Sequence, residues 1–129
     1  MTAGAFPSQR ILVVDDNRDT VDWTALLLTE LGQTVQQVYD GESAIRVAAE
    51  FRPQLVLLDL DMPEMNGFEV ARRLRQLPGI GDCRILAHTA FSRPEYREAT
   101  EGVGFDGILT KPVPLEVWIE VLGARAASH

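Results

Sequence analysis

The sequence is poor in the residues that several familiar chemistries require. Its 129 residues include one cysteine, Cys83, two histidines, His88 and His129, and only 7% aromatic residues. A single thiol cannot close an intramolecular disulfide and leaves no zinc cluster of the CxxC type, which fits a reducing, cytoplasmic setting. No apolar run approaches the roughly 20 residues that cross a bilayer. The opening Met1-Thr-Ala-Gly-Ala-Phe-Pro-Ser-Gln9 has no basic flank leading into a long apolar stretch, so neither a signal peptide nor a membrane span is expected. Basic residues are also in deficit, with 12 Lys and Arg against 19 Asp and Glu for a net charge of -7. That balance repels phosphate backbones and anionic lipid surfaces, so direct binding to nucleic acid or membrane is not expected.

What remains is ordinary for a soluble globular chain: 46% hydrophobic and 24% charged residues, in a length that suits one compact domain. Apolar runs alternate with amphipathic stretches. Ile11–Val14, Thr34–Val38, Leu55–Leu58, Arg84–Ala87 and Gly107–Thr110 read as strands, and a helical pattern follows each. Short, continuously apolar strands are what a parallel sheet covered on both faces requires, and the more polar Thr34–Val38 reads as an edge. Asn17, Asp40, Asn66 and Ser92 stand where helix N-caps belong, and Glu69 and Glu95 follow two of them at capping-box spacing. Gly32 occupies the place of a left-handed C-terminal cap. The expected fold is therefore a doubly wound α/β sheet of five parallel strands. The expected organisation is a flexible segment over 1–9, one domain over 10–122 and a tail over 123–129.

In such sheets, ligands collect beyond the carboxyl ends of the strands. Asp15 and Asp16 follow the first strand, Asp59 the third, Thr89 the fourth and Lys111 the fifth. Clustered carboxylates repel one another unless a cation shares the site, and Mg²⁺, which prefers oxygen ligands, is the natural partner. A metal beside a carboxylate, facing a lysine and a hydroxyl, makes a receptacle for a phosphoryl group. Asp59, at the middle of the rim, is then placed to act as a nucleophile. The side chain of Asp61 need not enter the pocket, although its backbone carbonyl could ligate the metal.

Four segments, Ile11-Leu-Val-Val-Asp-Asp-Asn17, Leu57-Leu-Asp-Leu-Asp-Met-Pro-Glu-Met-Asn-Gly67, His88-Thr-Ala90 and Leu109-Thr-Lys-Pro112, together resemble the receiver domain of two-component response regulators. The resemblance covers about residues 10–122 and implies a flavodoxin-like fold with strand order 2-1-3-4-5. It implies that Asp59 accepts a phosphoryl group from a phosphohistidine on a histidine kinase or phosphotransfer protein. It further implies that Asp15 and Asp16 hold Mg²⁺ with Asp59 and the Asp61 carbonyl, that Thr89 hydrogen-bonds the phosphoryl group and that Lys111 pairs with it. The peptide bond before Pro112 is commonly cis in the family. Asp61 and Phe91 stand where similar domains tune hydrolysis of the aspartyl phosphate. Many receivers carry a switching aromatic residue three positions before the lysine; here Ile108 stands there, which shifts attention to the fourth helical pattern, Arg93 to Glu101, as a moving part.

On the first helix, Val21, Ala25, Leu28 and Leu31 form the expected buried stripe, leaving Trp23 and Leu26 outward. Related receivers are docked by kinase or phosphotransfer helices on this helix, so Asp19, Thr20, Trp23 and Leu26 are the candidate partner-binding residues. On the last helix, Leu115, Trp118, Ile119 and Leu122 are expected inward, with Val117 and Val121 elsewhere. His88 and Cys83 receive no role. After Leu122 only seven residues follow. Output is therefore expected through a downstream effector protein, from a monomer or weak dimer that is a switch rather than a conventional enzyme. The alternatives are a phosphorelay shuttle or sink, or a receiver excised from a hybrid histidine kinase. A flavodoxin-like electron carrier would share the fold, but its phosphate-cradling loops and stacking aromatics are not evident.

Overall fold

The computed structural model of the protein describes residues 6–90 and 102–127. Its element order is β1 (Arg10–Val14), α1 (Arg18–Glu30), β2 (Thr34–Val38), α2 (Gly41–Phe51), β3 (Leu55–Leu58), α3 (Gly67–Arg75), β4 (Arg84–Thr89), β5 (Gly107–Thr110) and α4 (Leu115–Ala127). The five strands pair in parallel in the order β2-β1-β3-β4-β5. The helical pattern read over Arg93 to Glu101, with Ser92, Glu95 and Phe91, lies outside the described residues.

The continuous apolar strands supply both faces of the sheet at once, because successive side chains point to opposite sides. Leu12, Val14, Val56, Leu58, Ile85 and Ala87 face one core together with Ala44 and Ala48 of α2 and Val70, Ala71 and Leu74 of α3. Ile11, Val13, Leu55, Leu57 and Leu86 face the other, with Val21 and Leu28 of α1 and Trp118, Val121 and Leu122 of α4. The polar strand β2 lies at an edge, where its alternate residues can meet water.

Helix ends follow the expected chemistry. Asn17, Asp40 and Asn66 each accept a backbone N–H from the third residue on, at 3.2, 2.8 and 3.0 Å. Only half of the capping box at Asn66 forms, because the Glu69 carboxylate pairs with Arg72 instead of turning back. Gly32, at φ 88°, closes α1: its N–H reaches the Thr29 carbonyl and that of Gln33 the Leu28 carbonyl.

Two expectations change. On α4, Leu115 is 49% exposed and Val121 is buried, so the inward stripe runs through Trp118, Val121 and Leu122 with Val117 beside it. Leu115 is the first helical residue after Pro112 and Pro114, where the helix has not yet come over the sheet. On α1, Thr24 joins the buried stripe and Leu31, at the C-cap, is half-buried. In the segment read as 1–9, Phe6 packs against the α1–α4 core, and buried Gln9 donates its N–H to the Gln33 side chain at 2.9 Å.

The approach to β5 is pinned from α3. Arg75 donates to the carbonyls of Gly81, Cys83 and Gly104, and it pairs with Asp106 at 2.9 Å. Asp106 in turn accepts the Ile85 N–H at 2.8 Å.

Candidate functional site

The sheet ladder itself brings the rim residues together. One step past the strand ends, the Asp59 N–H donates to the Val14 carbonyl at 3.0 Å, the Asp15 N–H to Val38 at 3.3 Å and the Lys111 N–H to Thr89 at 2.8 Å. Each rung carries a polar residue beyond the apolar strand that fixes its position. Asp59 therefore sits beside Asp15 and Asp16, and Lys111 beside Thr89. The Lys111–Pro112 peptide bond is cis, as the resemblance implies.

The carboxylates of Asp15, Asp16 and Asp59 each offer an oxygen within 4.8 Å of the others. Asp15 and Asp59 are buried and Asp16 is exposed, so the cluster opens to solvent on one side. Lys111 donates from Nζ to Asp15 Oδ2 and stands 3.8 Å from Asp59 Oδ1. The other Asp15 oxygen accepts the Asn17 N–H at 3.0 Å, so Asp15 is held from both sides. Thr89, at the end of β4, is fully buried.

The electrostatics single out one member. Burial, and then the neighbouring Asp15 carboxylate, push the Asp59 carboxyl up to about 7, against the opposing pull of Lys111 and of the Asp61 backbone N–H. A carboxylate so raised is short of positive charge. Three converging carboxylates on an open rim are the hard oxygen donors that a divalent ion such as Mg²⁺ takes while keeping water in its remaining positions.

Asp61 turns its side chain to solvent and its N–H toward Asp59. Of the residues read as a partner face, Trp23 and Leu26 are 68% and 55% exposed. Asp19, Thr20 and Trp23 line a cavity that reaches Lys111, whereas Leu26 lies outside it. Two contributors to this region carried no sequence signal of their role. Gly67 opens α3 directly against the Asp59 backbone: a Cβ there would collide with the Asp59 carbonyl oxygen and lie 2.9 Å from Leu60 Cα. His88, read without a role, lines that cavity with Trp118. Asn66-Gly67 reads as a turn and helix start, but only the folded chain shows what the glycine faces.

Residues 11–122 match the model of the response regulator receiver domain. The chain is 41% identical over 108 residues to an uncharacterised 14.6 kDa protein of Leptolyngbya boryana, covering 83% of this chain and 82% of that one. Of two longer curated regulators that it matches at 35% and 39% identity, it spans 44% and 46%. Among solved structures, the Vibrio cholerae chemotaxis protein CheY4 is similar at a TM-score of 0.86 and 28% identity, over 92% of this chain and 98% of that one. The receiver domain of the Pseudomonas aeruginosa sensor histidine kinase PA1611, solved with magnesium in its active-site cleft, is similar at 0.82 and 29% identity, over 92% and 97%. With the strand order, the acidic rim and the family match in agreement, the chain belongs to the response regulator receiver domains of two-component signalling.

Proposed function

We propose that this receiver takes a phosphoryl group on Asp59 from a phosphohistidine of a histidine kinase or phosphotransfer protein. The observation that carries the reading is the grouping of buried Asp59 with Asp15, Asp16 and Lys111 beyond the sheet's carboxyl edge. Mg²⁺ would be held by Asp15, Asp16 and Asp59 and by the Asp61 carbonyl, and when bound it supplies positive charge to the phosphoryl oxygens and keeps Asp59 ionised. A carboxylate oxygen of Asp59 attacks phosphorus, the P–N bond to the donor imidazole breaks, and the P–O bond to Asp59 forms. Lys111 leaves Asp15 to pair with the added negative charge, and the Thr89 hydroxyl donates to a phosphoryl oxygen. Asp19, Thr20, Trp23 and Leu26 form the face on which the donor docks, and the phosphorylated receiver acts on an effector protein.

Intact-protein mass after incubation with acetyl phosphate and Mg²⁺ tests this. One phosphoryl addition, absent with EDTA and in Asp59→Asn, is the expected result. An addition that persists in Asp59→Asn would overturn the assignment of Asp59.

A further inference from the structure

Beside the acidic rim, between α1 and the segment joining β5 to α4, lies a cavity of about 430 Å³. That volume falls within the range of about 300–1,000 Å³ of pockets that take small ligands. Trp23, Leu27, Val113 and Trp118 supply apolar walls, while His88 and Lys111 supply the polar groups. Among its lining residues, Trp23 is 68% exposed, whereas His88 and Trp118 are 4% and 3% exposed. The His88 ring packs edge-on against Trp118, with centroids 5.5 Å apart at 71°. Among the described residues no hydrogen bond engages its imidazole. Burial, and then the nearby Lys111 cation, hold His88 down to about 4, so near neutral pH it is an uncharged ring with one N–H donor and one acceptor nitrogen. A molecule that offers an acceptor to this ring would add a hydrogen bond that the free chain does not make. Lys111 has three N–H donors; Asp15 accepts one and Asp59 lies at 3.8 Å, which leaves donor capacity toward the cavity.

We propose that this cavity is a binding site for a small aromatic acid, its ring between Trp23 and Trp118 and its carboxylate accepting from Lys111 and His88. Two indoles lining one cavity favour a planar apolar body. A lysine beside a neutral imidazole donor selects an acceptor head with negative charge. Because the head shares Lys111 with Asp15, occupancy would couple to the acidic rim. A small molecule can reach the nearly buried His88 and Trp118, whereas a docked protein surface would meet the exposed α1 rim first.

Binding at this site needs no phosphoryl transfer and can be tested on the unphosphorylated, metal-free chain. Both of the chain's tryptophans line the cavity, so their two indole N–H signals in a ¹H–¹⁵N NMR titration report its occupancy. With 1-naphthoate as probe, both signals should move saturably, and acetate, which lacks the ring, should move neither. His88→Phe keeps the ring packing but removes the donor and should weaken binding about five-fold, the loss of one hydrogen bond. Trp23→Ala, at an exposed position that folding does not need, should weaken it at least as much, read on the Trp118 signal. Signals unmoved by naphthoate, or an affinity left unchanged from that of the unsubstituted chain in both variants, would overturn the proposal. So would movement caused by a phosphodonor protein but not by naphthoate, which would make the cavity a protein-docking groove. The phosphorylation assay reads none of these outcomes, so either reading can fail alone.

Discussion

Asp59 and Lys111 show how far a single residue's setting determines what it can do. Asp59 is held in a buried place beside a second carboxylate, which raises its pKa to about 7, far above that of a free aspartate. In the unfolded chain it titrates near 3.9. A raised carboxyl stabilises the folded state fully below the unfolded value, and that contribution is lost as pH rises through about 7. Between about pH 4 and pH 7 the metal-free chain should therefore lose thermal stability on this account, and Asp59→Asn should flatten that part of the profile in thermal unfolding scans. Lys111 is the one described cation on the Asp15–Asp59 pair. Lys111→Met should raise Mg²⁺ affinity by removing a competing positive charge. It should also slow phosphoryl uptake about a hundred-fold or more, the usual weight of one charge-stabilising donor. Metal titration and timed mass spectra separate the two effects.

At the scale of elements, helix starts and strand ends aim the site. α3 begins at Gly67, whose missing Cβ lets the helix approach the Asp59–Leu60 backbone, with its N–H on the Leu60 carbonyl at 3.2 Å. Gly67→Ala meets backbone that cannot rotate away and should cost about 1–3 kcal/mol by overpacking. Denaturant unfolding gives that loss, and slower phosphoryl uptake should accompany it because the displaced carbonyl belongs to Asp59. Asn66→Ala, which removes only the cap of the same helix, should cost about 1 kcal/mol with a smaller effect on uptake. On α1, Trp23→Ala should slow transfer from a phosphodonor protein while leaving uptake from acetyl phosphate, compared by the same mass assay. Ile108 on β5 is half-buried and packs against the core on the α2–α3 side, so the position where many receivers carry an aromatic ring is filled here by a β-branched side chain.

For the whole molecule, binding of a divalent ion to the folded rim alone should raise the unfolding midpoint in proportion to the logarithm of its concentration. Because protons compete for Asp59, the Mg²⁺-induced rise should be larger near pH 8 than near pH 5.5 and should vanish with EDTA. A rise of equal size at both pH values would contradict the coupling between metal and Asp59. Among the described residues no helix is long and apolar enough to cross a membrane. The apolar strands, from Ile11–Val14 to Gly107–Thr110, and the caps at Asn17, Asp40 and Asn66 were legible residue by residue, because a strand covered on both faces must be apolar throughout. The polar residues beyond those strands were legible for the same reason, since a carboxylate or lysine marks where burial ends. The inward phase of α4 was misread at Leu115 and Val121, because Leu115, Val117, Trp118, Ile119, Val121 and Leu122 leave several apolar stripes open and packing against the sheet selects one. The sequence by itself determined the strands, the helix caps at Asn17, Asp40 and Asn66, the family and the identity of the rim residues. Only the tertiary structure decided the Lys111–Asp15 pairing, the raised Asp59, the close approach at Gly67 and the cavity over His88, because each joins residues far apart in the chain, and local pattern carries no information about distance in space.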